Sequence, residues 1–156
     1  MKKNAIAIFL LALLALSGCG KNVTAAAAAI EAGGDLEIPV ADLSEHIKIY
    51  SFTVDGLQME VLAARDPDGT VRTAFNTCQV CNGSRKAYFV EDGDRVVCQN
   101  CGNAFGREDV GVLSGGCNPY PIFAEDREDT GDTVKISYDF LSEEKGLFAR
   151  WKENGK

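Results

Sequence analysis

The sequence predicts a small, mostly β domain of consecutive hairpins, closed by a short C-terminal helix and preceded by an N-terminal address segment. Three observations predict it. Short runs rich in β-branched and aromatic residues recur along the chain, Gly-containing turns separate them, and two Cys-x-x-Cys pairs flank one such turn. At 156 residues the chain has room for one domain plus short extras. Eight Phe, four Tyr and one Trp leave the core lean, and part of the 46% hydrophobic content belongs to the N-terminus. A core of this size often needs a staple, a metal or a disulfide.

The first residues read as an address. Met1-Lys2-Lys3-Asn4 is positively charged, and the apolar run Ala5–Leu16 follows. That run is too short to cross the ~30 Å hydrocarbon core and has the proportions of a signal-peptide core. It ends in Leu16-Ser17-Gly18-Cys19, which resembles the lipobox of bacterial lipoproteins. Residues 1–18 are therefore expected to be a lipoprotein signal peptide, with Cys19 the lipidation site and the domain held on the extracytoplasmic face of the cell membrane. Acyl chains at ~0.8 kcal/mol per buried methylene hold a protein firmly there. Residues 19–35 contain an alanine run, Ala25–Ala29, and Gly33-Gly34, and read as a flexible tether. The folded domain is expected over residues 36–156.

Within it, Ile47–Val54 and Leu57–Ala63 read as strands joined by Asp55-Gly56, a strong signal for a tight hairpin turn. Pro67-Asp68-Gly69 turns the chain into Thr70–Thr77. Tyr88–Val90 and Arg95–Val97 form another hairpin across Glu91-Asp92-Gly93-Asp94. Thr133–Asp139 reads as a strand. Ser142 then caps a short helix, with Glu143 and Glu144 in its first turn and Leu147, Phe148 and Trp151 on one side.

The chemistry lies in the cysteines. Cys78-Gln79-Val80-Cys81 and Cys98-Gln99-Asn100-Cys101 are separated by 16 residues. A two-residue gap lets both sulfurs of a tight turn face one ion, and the longer gap is room for a hairpin that returns the chain. This spacing points to a tetrahedral four-thiolate site. Gly102 after one pair and Asn82-Gly83 after the other supply residues that tolerate the positive φ of a metal knuckle. Zn²⁺, a single iron and an iron–sulfur cluster all take four thiolates. Spacing by itself favours structural zinc, and a disulfide-permissive compartment keeps thiol–disulfide chemistry open. Cys117 stands in Ser114-Gly115-Gly116-Cys117-Asn118-Pro119-Tyr120-Pro121. It reads either as a free buried thiol or as a sulfur aimed by glycines and fixed by prolines, a further metal candidate.

Together, Thr73–Cys81, Val97–Phe105 and Gly115-Gly116-Cys117-Asn118-Pro119 resemble the FtrD-like membrane iron–sulfur protein family, over roughly residues 36–122. The resemblance implies an iron–sulfur centre on Cys78, Cys81, Cys98 and Cys101, with Cys117 as a further candidate. It also implies an association with iron-transport membrane proteins in ferrous-iron uptake, where larger members carry the domain after several membrane spans. Here a lipid on Cys19 is expected to take the place of those spans.

The remaining signals are weak. His46 begins a solvated strand, and Asp92, Asp94, Glu125, Asp126, Glu128 and Asp129 read as solvated acidic loops. The formal charge is −7, and after residue 18 the chain carries 14 basic against 23 acidic side chains. That balance repels phosphate backbones, so nucleic acid is not an expected partner. With a single His and no paired catalytic carboxylates, a metal-binding or electron-transfer role outweighs hydrolase or transferase chemistry. Three readings stand: an iron or iron–sulfur protein, a zinc-stabilised binding module, and a thiol–disulfide oxidoreductase.

Overall fold

The computed structural model describes residues 28–154. The expected signal segment and Cys19 lie outside the described residues. The chain is mostly β, as the turn pattern predicts, in three sheets of five, three and three strands.

The largest sheet runs β1 (Ala28–Ala29), β3 (Lys48–Val54), β4 (Leu57–Arg65), β5 (Val71–Cys78) and β9 (Pro119–Pro121). Asp55 at φ 50° and Gly56 at φ 79° make the tight turn between β3 and β4, which pair from Val54↔Leu57 to Lys48↔Ala63. Both faces of β4 and β5 are covered, because alternate side chains enter two separate clusters. Met59, Val61, Ala63, Val71 and Phe75 enter the main core, while Leu62, Ala74 and Cys78 enter a smaller cluster on the opposite face. Between Phe75 and Cys78 the register with β9 shifts, leaving Asn76 and Thr77 without partners on that strand. Such bulges bend a strand and re-aim its end.

A second sheet, β10 (Glu128–Asp129), β11 (Thr133–Ser137) and β2 (Asp35–Pro39), closes the main core. Ile38 lies opposite Val134 and Leu36 opposite Ile136, all four buried. The third sheet is the cysteine-bearing hairpin, β6 (Phe89–Asp92) and β7 (Arg95–Cys98), with β8 (Ala104–Gly106) added to its edge.

Two expectations change. Within the tether expected over residues 19–35, Ala28–Ala29 pairs in parallel with β3 and Ile30 is buried in the main core. The small alanines fit the sheet edge, and the isoleucine that follows them supplies the apolar anchor. The expected strand to Asp139 ends instead at Ser137, whose hydroxyl accepts the Phe140 N–H (3.3 Å) and caps helix α1 (Tyr138–Glu144). Ser142 lies inside that helix and its hydroxyl donates to Asp55 (3.4 Å). Leu141, Phe148 and Trp151 are buried from this C-terminal segment, and Leu147 packs partly against the core.

Trp151 ties the C-terminus to β5. Its ring meets Phe148 edge-on with centroids 5.1 Å apart, and its Nε1 donates to the Asn76 carbonyl (2.9 Å). Trp151→Phe keeps most of the ring but strands that buried carbonyl, a loss of about 1–3 kcal/mol. Urea unfolding of the two proteins should show a lower midpoint with an unchanged slope.

Candidate metal centre

Three segments bring the cysteines together. The first knuckle begins where β5 ends. Cys78 N–H donates to the Ala87 carbonyl (3.0 Å), and the chain turns through Gly83 at φ 93°. The second begins where β7 ends. Cys98 N–H donates to Asn103 O and Gly102 N–H donates to Cys98 O, both at 2.9 Å, with Gly102 at φ 75°. Gly102 thus takes the left-handed place expected of it, whereas in the first knuckle Gly83 takes it and Asn82 does not.

The turns also aim amides at sulfur. Cys81 N–H donates to Cys78 Sγ (3.4 Å), Val80 N–H reaches the same sulfur, and Cys98 receives the matching pair from Asn100 and Cys101. The two knuckles are fastened to each other by Ser84 Oγ–Asn100 Oδ1 (2.7 Å) and by Gln99 N–H to Tyr88 O (2.8 Å).

The third segment is the loop Ser114–Asn118. Gly115 N–H donates to Gln79 Oε1 (2.8 Å), Gln79 N–H donates to Asn118 O (3.1 Å), and Gln79 Nε2 donates to Pro119 O (3.3 Å). Asn118 Nδ2 closes the loop on Gly115 O (2.8 Å). β9 then leaves alongside β5, with Pro119 opposite Cys78. Sequence reading missed Gln79 and Asn118, and the only local signal was that Gln follows the first Cys of both pairs.

All five described cysteines are free thiols. The sulfurs of Cys78, Cys81, Cys101 and Cys117 lie within 4.8 Å of one another. Cys98, the remaining predicted ligand, is outside that set, with its thiol against those of Cys78 and Cys101. Cys78 and Cys98 are 0% and 1% exposed, Cys81 and Cys117 are half-buried, and Cys101 faces solvent.

The donor set fits a metal. Four thiolates around one ion at ~2.3 Å are ~3.8 Å apart, inside the 4.8 Å that bounds the separations here. Burial pushes the Cys78 and Cys98 thiols above their ordinary range, which makes a bare thiolate costly and a cation partner favourable. Cys101 behaves oppositely. The Asn103 amide holds its thiol down to about 7, helped by the neighbouring thiols of Cys98, Cys81 and Cys117.

The weaker sequence candidates lie elsewhere. His46 is exposed beside Glu91 (3.3 Å) and Arg107. Asp126 binds the Phe123 N–H (3.1 Å), and Glu125 and Glu128 line an open surface hollow with Arg127 and Lys135.

Residues 40–148 match the model of a family described as membrane iron–sulfur containing protein, FtrD-like. No curated protein sequence matches the chain. Among solved structures, a crystal structure of a naphthalene 1,2-dioxygenase mutant bound to phenanthrene matches with 19% identity and a TM-score of 0.43. The match covers 70% of this chain and 27% of that one. No helix among the described residues is long and apolar enough to cross a membrane.

In the metal-free chain, Cys101 should react first with iodoacetamide, since it is exposed and its thiol is held down to about 7. Its alkylation should rise to half its maximal rate near pH 7, where its depressed pKa lies. Cys78 and Cys98 should stay unmodified until the chain unfolds. Peptide mass spectrometry after timed quenching reads all three.

Proposed function

Because the chain belongs to the FtrD-like family of membrane iron–sulfur containing proteins, we propose that it is a lipid-anchored, extracytoplasmic iron-binding protein. Its role on this reading is redox or iron handling in association with iron-transport membrane proteins. The observation that carries the reading is the convergence of four cysteine sulfurs from three chain segments within 4.8 Å.

The chain's own groups suit such a role. Cys78 lies deep in the fold and Cys101 at the surface, so the sulfur cluster runs from the interior to solvent. The amides of Val80 and Cys81 on Cys78, and of Asn100 and Cys101 on Cys98, would stabilise negative charge on sulfur without adding a proton. Val80, 64% exposed between the first pair, gives the first knuckle an apolar tip. Bound iron would supply a one-electron couple at this edge. The membrane attachment rests on the Leu16-Ser17-Gly18-Cys19 motif.

Full-length protein purified without air should carry iron and show a visible sulfur-to-iron absorption band. A colourless protein with one zinc per chain would replace this reading with the zinc-stabilised module. Two intramolecular disulfides in protein kept from oxygen would replace it with thiol–disulfide exchange. Metal analysis, an absorption spectrum and intact mass on one preparation distinguish the three.

A further inference from the structure

We propose that the fourth sulfur ligand of the metal is Cys117 rather than Cys98, and that Gln79 is the residue that positions it. The proposal rests on the reading of the cluster as a metal centre and specifies its ligand set. Pair spacing assigns Cys78, Cys81, Cys98 and Cys101. The fold assigns Cys78, Cys81, Cys101 and Cys117, whose sulfurs form the mutually close set.

Position in the fold explains the exchange. Cys98 ends β7 opposite Phe89, inside the small cluster with Leu62, Ala87 and Val96. Its sulfur meets Cys78 and Cys101 from that packed side. Cys117 is only partly buried against the edge of that same cluster, on a loop whose path is held by hydrogen bonds. Gly115 at φ 91° and Gly116 at φ 67° take consecutive left-handed conformations, and a Cβ on either would meet nothing within 4 Å. Glycine is needed there for the backbone path itself.

Gln79 fixes that path from both ends. Its side-chain oxygen accepts Gly115 N–H before the cysteine, while its backbone and side-chain N–H groups donate to Asn118 O and Pro119 O after it. The Cys117 carbonyl also accepts the Cys78 thiol (3.5 Å). The equivalent residue of the other knuckle does nothing of the kind, since Gln99 Nε2 turns back to Val97 O (3.0 Å) within its own strand end. Two pairs with the same Cys-Gln-x-Cys pattern therefore differ in use. One glutamine finishes a strand, and the other carries a third arm onto the site.

Co²⁺ serves as the probe, titrated anaerobically into the full metal-free chain, with Cys19 present in every variant. The wild-type chain should bind one ion with an intense near-ultraviolet sulfur-to-cobalt band. Cys117→Ser should weaken binding at least tenfold and lower the band per bound ion by about a quarter, one sulfur of four. Cys98→Ser should leave the band per bound ion unchanged. Cys98→Ala replaces it if the buried hydroxyl prevents folding. Gln79→Ala should weaken binding about tenfold, in the range of a lost supporting contact, with the spectrum per bound ion intact.

An unchanged band in Cys117→Ser, or the loss of a quarter in a folded Cys98 variant, overturns the proposal. Alkylation provides a check that needs no variant. Cys117 is half-buried, so it should react in the metal-free chain and be protected once Co²⁺ is bound, and reaction in the loaded chain also overturns the assignment. A wild-type chain without any thiolate band would instead defeat the metal reading itself.

Discussion

Asn76 is fully buried two residues before Cys78, and its amide joins the main sheet to the cysteine hairpin. Its Oδ1 accepts the Phe89 N–H (2.7 Å), its Nδ2 donates to Glu60 (2.7 Å), and its carbonyl accepts from Trp151. The bulge in β5 leaves this residue without a partner on β9, so its carbonyl is free to accept from Trp151 while its side chain holds β6. A buried amide bonded through both its oxygen and its nitrogen is geometrically demanding, and it fixes one hairpin against one strand end. Glu60 extends the network to Lys152 (2.7 and 2.8 Å), whose ammonium also lies over the rings of Tyr88 and Trp151. A carboxylate at this depth is tolerable because it is paired and hydrogen-bonded. Together with the Ser84–Asn100 and Gln99–Tyr88 hydrogen bonds, this junction sets the second knuckle against the first.

The two apolar clusters divide the labour. The main core holds Phe52, Phe75, Phe148 and Trp151 and supports both larger sheets. The cluster under the cysteines is thin, with Leu62, Phe89, Val96 and Val110 as its larger members. With so little apolar area, this lobe would gain rigidity from a metal held by its sulfurs, which would couple occupancy to order. One glycine guards its edge. A Cβ on Gly111, at φ 72°, would stand 2.4 Å from the Thr73 carbonyl, so the loop after β8 lies directly on β5.

Much of this was legible in the chain. Asp55-Gly56 and Gly93 announce their hairpins because each turn demands backbone angles that few residues accept, and such demands are local. The cysteine pairs and Gly102 are local in the same way. What stayed hidden depends on partners far along the chain. β1 exists because β3 offers an edge, and β9 because β5 does. Ser137 rather than Ser142 caps α1 because β11 ends opposite Asp35, where β2 begins. Spacing groups Cys98 with its neighbours in sequence, yet the third arm comes from 36 residues beyond Gln79, and no period in the chain connects them.

The pairing of Ala28–Ala29 with β3 also sets a leash. With Cys19 acylated as proposed, only residues 20–27 separate the lipid from the first strand, a span of at most ~30 Å when fully drawn out. β1 lies on one edge of the large sheet, and β5 is three strand spacings away, about 14 Å. The sulfurs would then sweep a shell whose outer radius is a few tens of ångströms from the bilayer surface. On the proposed reading, any donor or acceptor of electrons or iron would have to reach the sulfurs inside that shell.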